Sequence, residues 1–357
     1  MQNAKCKIKE GSVKHRNIPI FIPHLGCPNM CVFCNQRSIS GKQGFNRASV
    51  ISEIEDALAT ISPDCEVEIA YFGGSFTGID RELMIYLLNV AKDYVEHPRE
   101  GRARVMGIRM STRPDYINEE IMTILANYPI KTVELGLQSM DDEVLKLSNR
   151  GHSAKDAEIA CRLIKKAGYS LIGQMMIGLP GSTLPKELMT AEKICEMGAD
   201  GARIYPTVTF YDTELANMAD RGEYKMLEIE DAIYRSKEVL KIFNSHGVEC
   251  IRIGLCASDN LGDLQKVKGG ANHPAFGELV LGELHYDKMR ELLLGISAKM
   301  SIEGKSFKIV VPPRELSRAI GQNGRNRKRL IEEFKLEDLK IEQTNCAPGI
   351  TIWVGEA

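Results

Sequence analysis

Apolar positions along the chain follow two alternating rhythms. Short runs rich in Val, Ile and Leu, namely IPIFIP (18–23), EVEIAYF (66–72), RVMGIRM (104–110), TVELGL (132–137), SLIGQMMI (170–177) and GARIY (201–205), have the length of strands and fall short of helices. Between them lie stretches such as ASVISEIEDALATI and AEIACRLIKKAG. Their apolar residues recur every three to four positions, as on one face of a helix. Buried strands alternating with amphipathic helices predict a parallel sheet joined by right-handed crossovers, with six strand–helix pairs. In barrels of parallel strands the ligand-binding residues collect at the strands' C-terminal ends. The chemistry-bearing residues of this chain fall there.

Three cysteines, Cys27, Cys31 and Cys34, follow the first strand in the run HLGCPNMCVFCNQ. Their C-x3-C-x2-C spacing, with Phe33 before the last, puts three thiolates on one short loop. Cubane clusters usually take four thiolates, so three imply a [4Fe-4S] cluster with one iron open to another ligand. Structural zinc is the alternative, with His24 the nearest further donor, but no second CxxC or HxxxH follows. The other seven cysteines are scattered, which fits a reduced, cytoplasmic chain rather than a disulfide framework.

With these cysteines the sequence resembles the radical S-adenosylmethionine (SAM) superfamily, whose members carry the triplet after the first strand of a partial (β/α)6 barrel. The expected fold class is therefore α/β. Further landmarks follow in the family's order. YFGGSF ends the second strand in Gly73, Gly74 and Ser75, where the resemblance implies a seat for the amino group of SAM; most relatives have an acidic residue in place of Ser75. STRPD ends the third with Ser111 and Arg113, which the resemblance assigns to SAM's ribose and carboxylate. ELGLQS ends the fourth with Gln138 and is followed by the tripeptide Arg150, Gly151, His152. GQMMIGLPG brings Gln174 and Ile177 beside the expected adenine site. A plain strand-to-helix turn, a helix cap at Thr112 or Asp115, and ordinary core packing of the Met–Met–Ile run are the structural alternatives at these positions. Tyr205 and Cys256 are candidate substrate-side residues, with buried structural roles as the alternative.

The strings YFGGSF, STRPD, ELGLQS and RGH, with the glycine-rich stretch from Gly269 to Glu278, resemble the catalytic-subunit branch of the elongator family over residues 15–290. That branch modifies wobble uridine in transfer RNA. Elongator-type chains have a longer cysteine spacing and an acetyltransferase domain, whereas this sequence has neither, so use of an acyl-CoA is not inherited. The coproporphyrinogen-oxidase branch shares the RGH-like and GLP elements.

Charge is unevenly distributed. The whole chain carries a formal charge of −2, yet residues 305–340 hold ten basic residues against five acidic ones. This segment reads as strand, short helix, GxxG turn, basic helix, strand. It resembles the KH module of the bacterial transcription factor NusA. The resemblance implies that the turn Gly321, Gln322, Asn323, Gly324 packs against single-stranded RNA while Arg325, Arg327 and Lys328 meet phosphates. A solvated basic helix or a docking module is the alternative. The expected organisation is a lead-in (1–16), a barrel with a C-terminal extension (17–300) and a KH-like module (301–357).

The chain has 357 residues and 43% hydrophobic content, enough for a large core, and no apolar run long enough to span a membrane. The expected activity is cytoplasmic. It is reductive cleavage of SAM to a 5′-deoxyadenosyl radical that modifies a nucleotide in transfer or ribosomal RNA, with a flavodoxin or ferredoxin as electron donor and no DNA partner. An RNA-binding factor with a structural cluster and a small-molecule radical enzyme are the two alternatives.

Overall fold

The computed structural model describes residues 14–22, 25–27, 31–35, 44–255, 265–344 and 350–353. Two compact units divide the chain between Pro274 and Ala275.

In the first unit seven parallel strands form one curled sheet, a half-barrel. In chain order they are β1 (His15–Phe21), β2 (Glu66–Phe72), β3 (Arg104–Thr112), β4 (Ile130–Gln138), β5 (Ser170–Ile177), β6 (Gly201–Pro206) and, after an insertion, β8 (Glu249–Ile253). Each neighbours its predecessor in sequence, as short right-handed crossovers require. The six strands expected from the sequence are present, and β8 adds a seventh edge. A small antiparallel pair, β7 (Val208–Phe210) and β9 (Val267–Gly270), lies apart from this sheet.

Helices cover the outer face. They are α1 (Val50–Thr60), α2 (Arg81–Glu96), α3 (Glu119–Leu125), α4 (Asp142–Leu147), α5 (Ala154–Lys166), α6 (Leu184–Glu196) and α8 (Ile229–Ser245), whereas α7 (Glu214–Asp220) packs on β7 and on Val32. Their starts are written locally. Asp80, Asn118 and Asp141 accept hydrogen bonds from first-turn amides, and Ser153 with Asp156 closes a capping box on α5. Alternation along β2 sends Val67, Ile69 and Tyr71 outward, fully buried, and the Tyr71 hydroxyl donates to Leu87 O of α2 at 2.6 Å. Each such aliphatic side chain contributes about 1.5–3 kcal/mol by leaving water. The opposite face of the same strand carries Glu68, which points to the inside of the half-barrel.

The second unit begins with α9 (Phe276–Ser297), continues through β10 (Ser306–Val311), α10 (Leu316–Ile320), α11 (Arg325–Phe334) and β11 (Asp338–Gln343), and ends in β12 (Thr351–Trp353). β10 is central, parallel to β11 and antiparallel to β12. Tyr286, Met289 and Leu293 of α9 share a core with Phe307, Ile309, Leu330 and Leu339. This apolar face packs α9 with the tail. Among the described residues no helix is long and apolar enough to cross a membrane.

Candidate functional site

The cysteine loop is held by close backbone packing against the turn after β2. Ile22 N donates to Phe72 O at 2.7 Å and Ser75 N to Leu25 O at 3.0 Å. A Cβ on Gly74 would stand 2.1 Å from Leu25 O, and one on Gly26 would stand 2.2 Å from Ser75 O. Only glycine permits this approach. The Gly73–Gly74 pair therefore serves the backbone of the loop that carries Cys27. Further along, Val32 N donates to Ser148 O at 3.2 Å and Leu215 N to Val32 O at 2.8 Å. Phe33 packs on the small apolar cluster of Val32, Leu215 and Tyr224.

Cys27, Cys31 and Cys34 are all thiols, Cys31 being buried. Burial raises the Cys27 thiol above its ordinary value, the nearby Cys31 raises it further, and Arg113 and Arg150 oppose both. Among the described residues no three His, Cys, Asp or Glu side chains converge on one metal-ion position. A cubane asks for less convergence, because each thiolate takes its own iron. His24 and Cys256 lie outside the described residues.

Two arginines frame the thiols. Arg150, just after α4, donates from Nη1 to Cys31 Sγ at 3.2 Å and from Nη2 to Gly136 O at 2.6 Å. Arg113, at the end of β3, makes a two-pronged pair with Asp115, both bonds 2.9 Å, and also donates to Arg150 O. Its Nη1 is buried without a hydrogen-bond partner, as are Arg150 Nε and Gln138 Oε1, while the buried ring of His152 stands 3.9 Å from Asp115 Oδ1. Buried polar atoms are nearly always paired, so a concentration of orphans around one loop marks a place built for a polar ligand. Gln138 is also held at φ +66°, in a region unfavourable to side chains.

The remaining SAM-side positions fall as follows. Ser75 is fully buried; its hydroxyl hydrogen-bonds Thr112 Oγ1 at 2.9 Å and accepts from Arg113 N at 3.2 Å. Ser111 lies half-buried on β3, on the same face as Arg109. Ile177 is fully buried, and its carbonyl accepts from both Thr207 N and Thr207 Oγ1. Arg150, Asp115 and His152 all lie in the RGH and STRPD strings of the sequence, and of the three Arg150 is the one that bonds a thiol.

Gln174 belongs to a polar belt inside the half-barrel. Arg109 donates from Nε to Glu68 Oε2 at 2.6 Å and from Nη1 to Glu134 Oε1 at 2.7 Å. Arg203 donates from Nη2 to the same Oε1 at 2.8 Å, and Gln174 Nε2 to Glu134 Oε2 at 2.8 Å. Five consecutive strands thus each contribute one side chain.

In the second unit the turn residues Gly321, Asn323 and Gly324 all have positive φ. A Cβ on Gly321 would meet the Asn326 side chain at 2.8 Å. Much of the basic charge is neutralised within the unit. Arg327 donates to Leu339 O at 2.6 Å and pairs with Asp338, Arg329 pairs with Glu283, and Arg318 with Glu278. Arg325 and Lys328, one helical turn apart and exposed, have no side-chain partner among the described residues.

Sequence comparison adds family context. A family model described as the radical SAM superfamily matches residues 21–194, and one described as the radical SAM C-terminal domain matches residues 199–286. The chain is 30% identical over 244 residues to a "tRNA uridine(34) acetyltransferase" of Methanocaldococcus infernus, covering 58% of this chain and 46% of that protein. It thus spans about half the length of that relative. It is 26% identical over 227 residues to protein YhcC of Escherichia coli, covering 60% of this chain and 71% of that one. The solved structure of archaeal Elp3 from Methanocaldococcus infernus, with an N-terminal deletion, superposes with a TM-score of 0.59 at 21% identity. The match covers 78% of this chain and 64% of that chain, and establishes likeness of fold.

Proposed function

Because the chain belongs to the radical SAM superfamily, whose cofactors are a [4Fe-4S] cluster and SAM, we propose that it is a radical enzyme that modifies a nucleotide in transfer or ribosomal RNA. The donor set suits those cofactors. Cys27, Cys31 and Cys34 would hold the cluster. Buried orphans at Arg113 Nη1, Arg150 Nε and Gln138 Oε1 are the right chemistry for the carboxylate, amino and ribose groups of SAM. When bound, the two together supply a 5′-deoxyadenosyl radical by one-electron cleavage of SAM.

The protein's part is binding, orientation and exclusion of water. Arg150 bridges a thiol and the end of β4, so it fixes the cysteine loop against the strands. Asp115 keeps the Arg113 guanidinium planar to the site, leaving Nη1 for ligand. Gly73 and Gly74 let the cysteine loop and the β2 turn interlock, which fixes the backbone that carries Cys27. Phe33 and its apolar neighbours cover the other side.

The single observation that carries the RNA reading is the pair Arg325 and Lys328. In a tail whose other helix-borne cations are paired, these two are left exposed beside the GxxG turn. Phosphate neutralisation needs such cations. The curated relative that acts on transfer RNA, by its name, agrees with this reading. The test is anaerobic reconstitution followed by measurement of 5′-deoxyadenosine with and without RNA lacking the modification. Stimulation by RNA, abolished in Cys31→Ala while RNA binding persists, is the expected result. Turnover indifferent to RNA would overturn the substrate assignment.

A further inference from the structure

The polar belt inside the half-barrel is not balanced in charge. Both of its carboxylates are fully engaged. Glu134 Oε1 accepts from Arg109 and Arg203, and its Oε2 accepts from Gln174. Glu68 accepts from Arg109 at one oxygen and from Thr132 Oγ1 at the other, 3.1 Å away. Two carboxylates thus answer two guanidiniums.

A third guanidinium faces the same interior. Arg252 of β8 is the register partner of Arg203 of β6. Side chains at paired positions of a parallel ladder share a face, so Arg252 points with Arg203 into the lumen. It is half-buried and has no hydrogen bond or ion pair among the described residues. Tyr205, two residues beyond Arg203 on the same face of β6, is raised above its ordinary value chiefly by burial; the charges of Arg203 and Arg252 oppose that rise and Glu134 adds to it. The Tyr205 hydroxyl accepts from Arg203 Nη1 at 3.4 Å, and no acceptor for its own proton is present among the described residues. Donors outnumber acceptors in this corner by a guanidinium and a phenol.

We propose that Arg203, Tyr205 and Arg252 form an anion subsite at the β6–β8 side of the lumen, suited to the carboxylate of a small molecule. Three features favour that ligand. Arg252, alone of the three guanidiniums, has no carboxylate partner among the described residues, which suits a monoanion. A planar carboxylate fits the fork of a guanidinium with two parallel bonds. Arg203 lies three residues before the end of β6, about 10 Å below the rim at ~3.3 Å per residue, too deep for a nucleic-acid backbone that continues in both directions.

The probe is radiolabelled acetate, with inorganic phosphate as competitor, in equilibrium dialysis against the full-length, cluster-reconstituted protein without SAM or RNA. Saturable acetate binding is expected, about tenfold weaker in Arg252→Gln and several-fold weaker in Tyr205→Phe. Lys92→Gln, on the outer surface, should bind as the parent does. Tyr205→Phe removes a single oxygen, so it remains informative if Arg252→Gln fails to fold. Absence of saturable binding, or equal binding by parent and Tyr205→Phe, would overturn the subsite. Phosphate displacing acetate at lower concentration than acetate itself would overturn the carboxylate assignment. Neither RNA nor SAM enters the measurement, so these outcomes leave the RNA reading untouched.

Discussion

Arg150 and Cys31, 119 residues apart in sequence, are joined by a hydrogen bond of 3.2 Å from Nη1 to Sγ. The same guanidinium holds the Gly136 carbonyl, and the Arg150 carbonyl in turn receives Arg113. One residue, through its side chain and its carbonyl, therefore ties the end of β4, the end of β3 and the cysteine loop together. Arg150→Lys keeps the charge but loses the planar fork. Hydrogen bonds to charged groups are worth about 1.5–3 kcal/mol, which corresponds to a ten- to hundredfold loss in SAM cleavage at limiting SAM. Cysteine-bound iron, read from the visible spectrum after reconstitution, should fall less than turnover. Unchanged 5′-deoxyadenosine formation would show that this bridge plays no part in the site.

Glu134 is the hub of the lumen belt and is 1% exposed. Glu134→Gln preserves its shape, leaves Arg203 without its carboxylate and leaves Arg109 with Glu68 alone. Breaking a buried pair in this way costs about 3–5 kcal/mol. Urea unfolding followed by circular dichroism should show that loss at the midpoint, with the slope unchanged. A loss under about 1 kcal/mol would mean that water enters the belt freely enough to screen it.

His152 has a fully buried side chain, and burial, then the charge of Arg150, holds its pKa down to about 4 from an ordinary 6.5. The folded state keeps the ring neutral where the unfolded chain would take a proton. The stabilisation is complete above pH 6.5 and is lost as pH falls towards about 4. The span amounts to about 3 kcal/mol. His152→Phe should flatten this part of the stability profile between pH 7 and 4. A variant whose unfolding free energy tracks the parent's across that range would contradict a neutral His152.

The barrel is legible in the sequence because its strands are apolar on the outward face and its helices carry local capping signals such as Ser153 with Asp156. The cysteine loop is legible because three thiolates at that spacing have few other uses. Less of the surrounding site can be read. Gly73 and Gly74 announce a close approach, but only the fold reveals that Leu25 O is what comes close. Ser75 has the chemistry of a ligand, yet its position between Thr112 and the Arg113 amide commits its hydroxyl to joining β2 and β3. Arg252 and Glu134 are separated by more than a hundred residues, and nothing local ties them to one lumen. Charge in the tail misleads for a related reason. The basic excess counted over residues 305–340 is offset by Glu278 and Glu283 of α9, outside the counted window.

That offset separates the three cations assigned to RNA. Arg327 is held by Asp338 and Leu339 O, whereas Arg325 and Lys328 stand exposed beside the GxxG turn. A phosphate must displace an existing partner to reach Arg327 but only water to reach the other two. Each phosphate contact on a single strand contributes about 0.7 to the slope of log affinity against log salt. Arg325→Gln with Lys328→Gln should therefore lower that slope by about 1.4 and weaken RNA binding at low salt. Arg327→Gln should change it far less and cost under about 1 kcal/mol in stability, as for an exposed pair. The measurement is fluorescence anisotropy of a labelled single-stranded RNA over a salt series. Equal slope changes for all three positions would show that Arg327 releases Asp338 on binding, and no change in the double variant would place the RNA contact elsewhere.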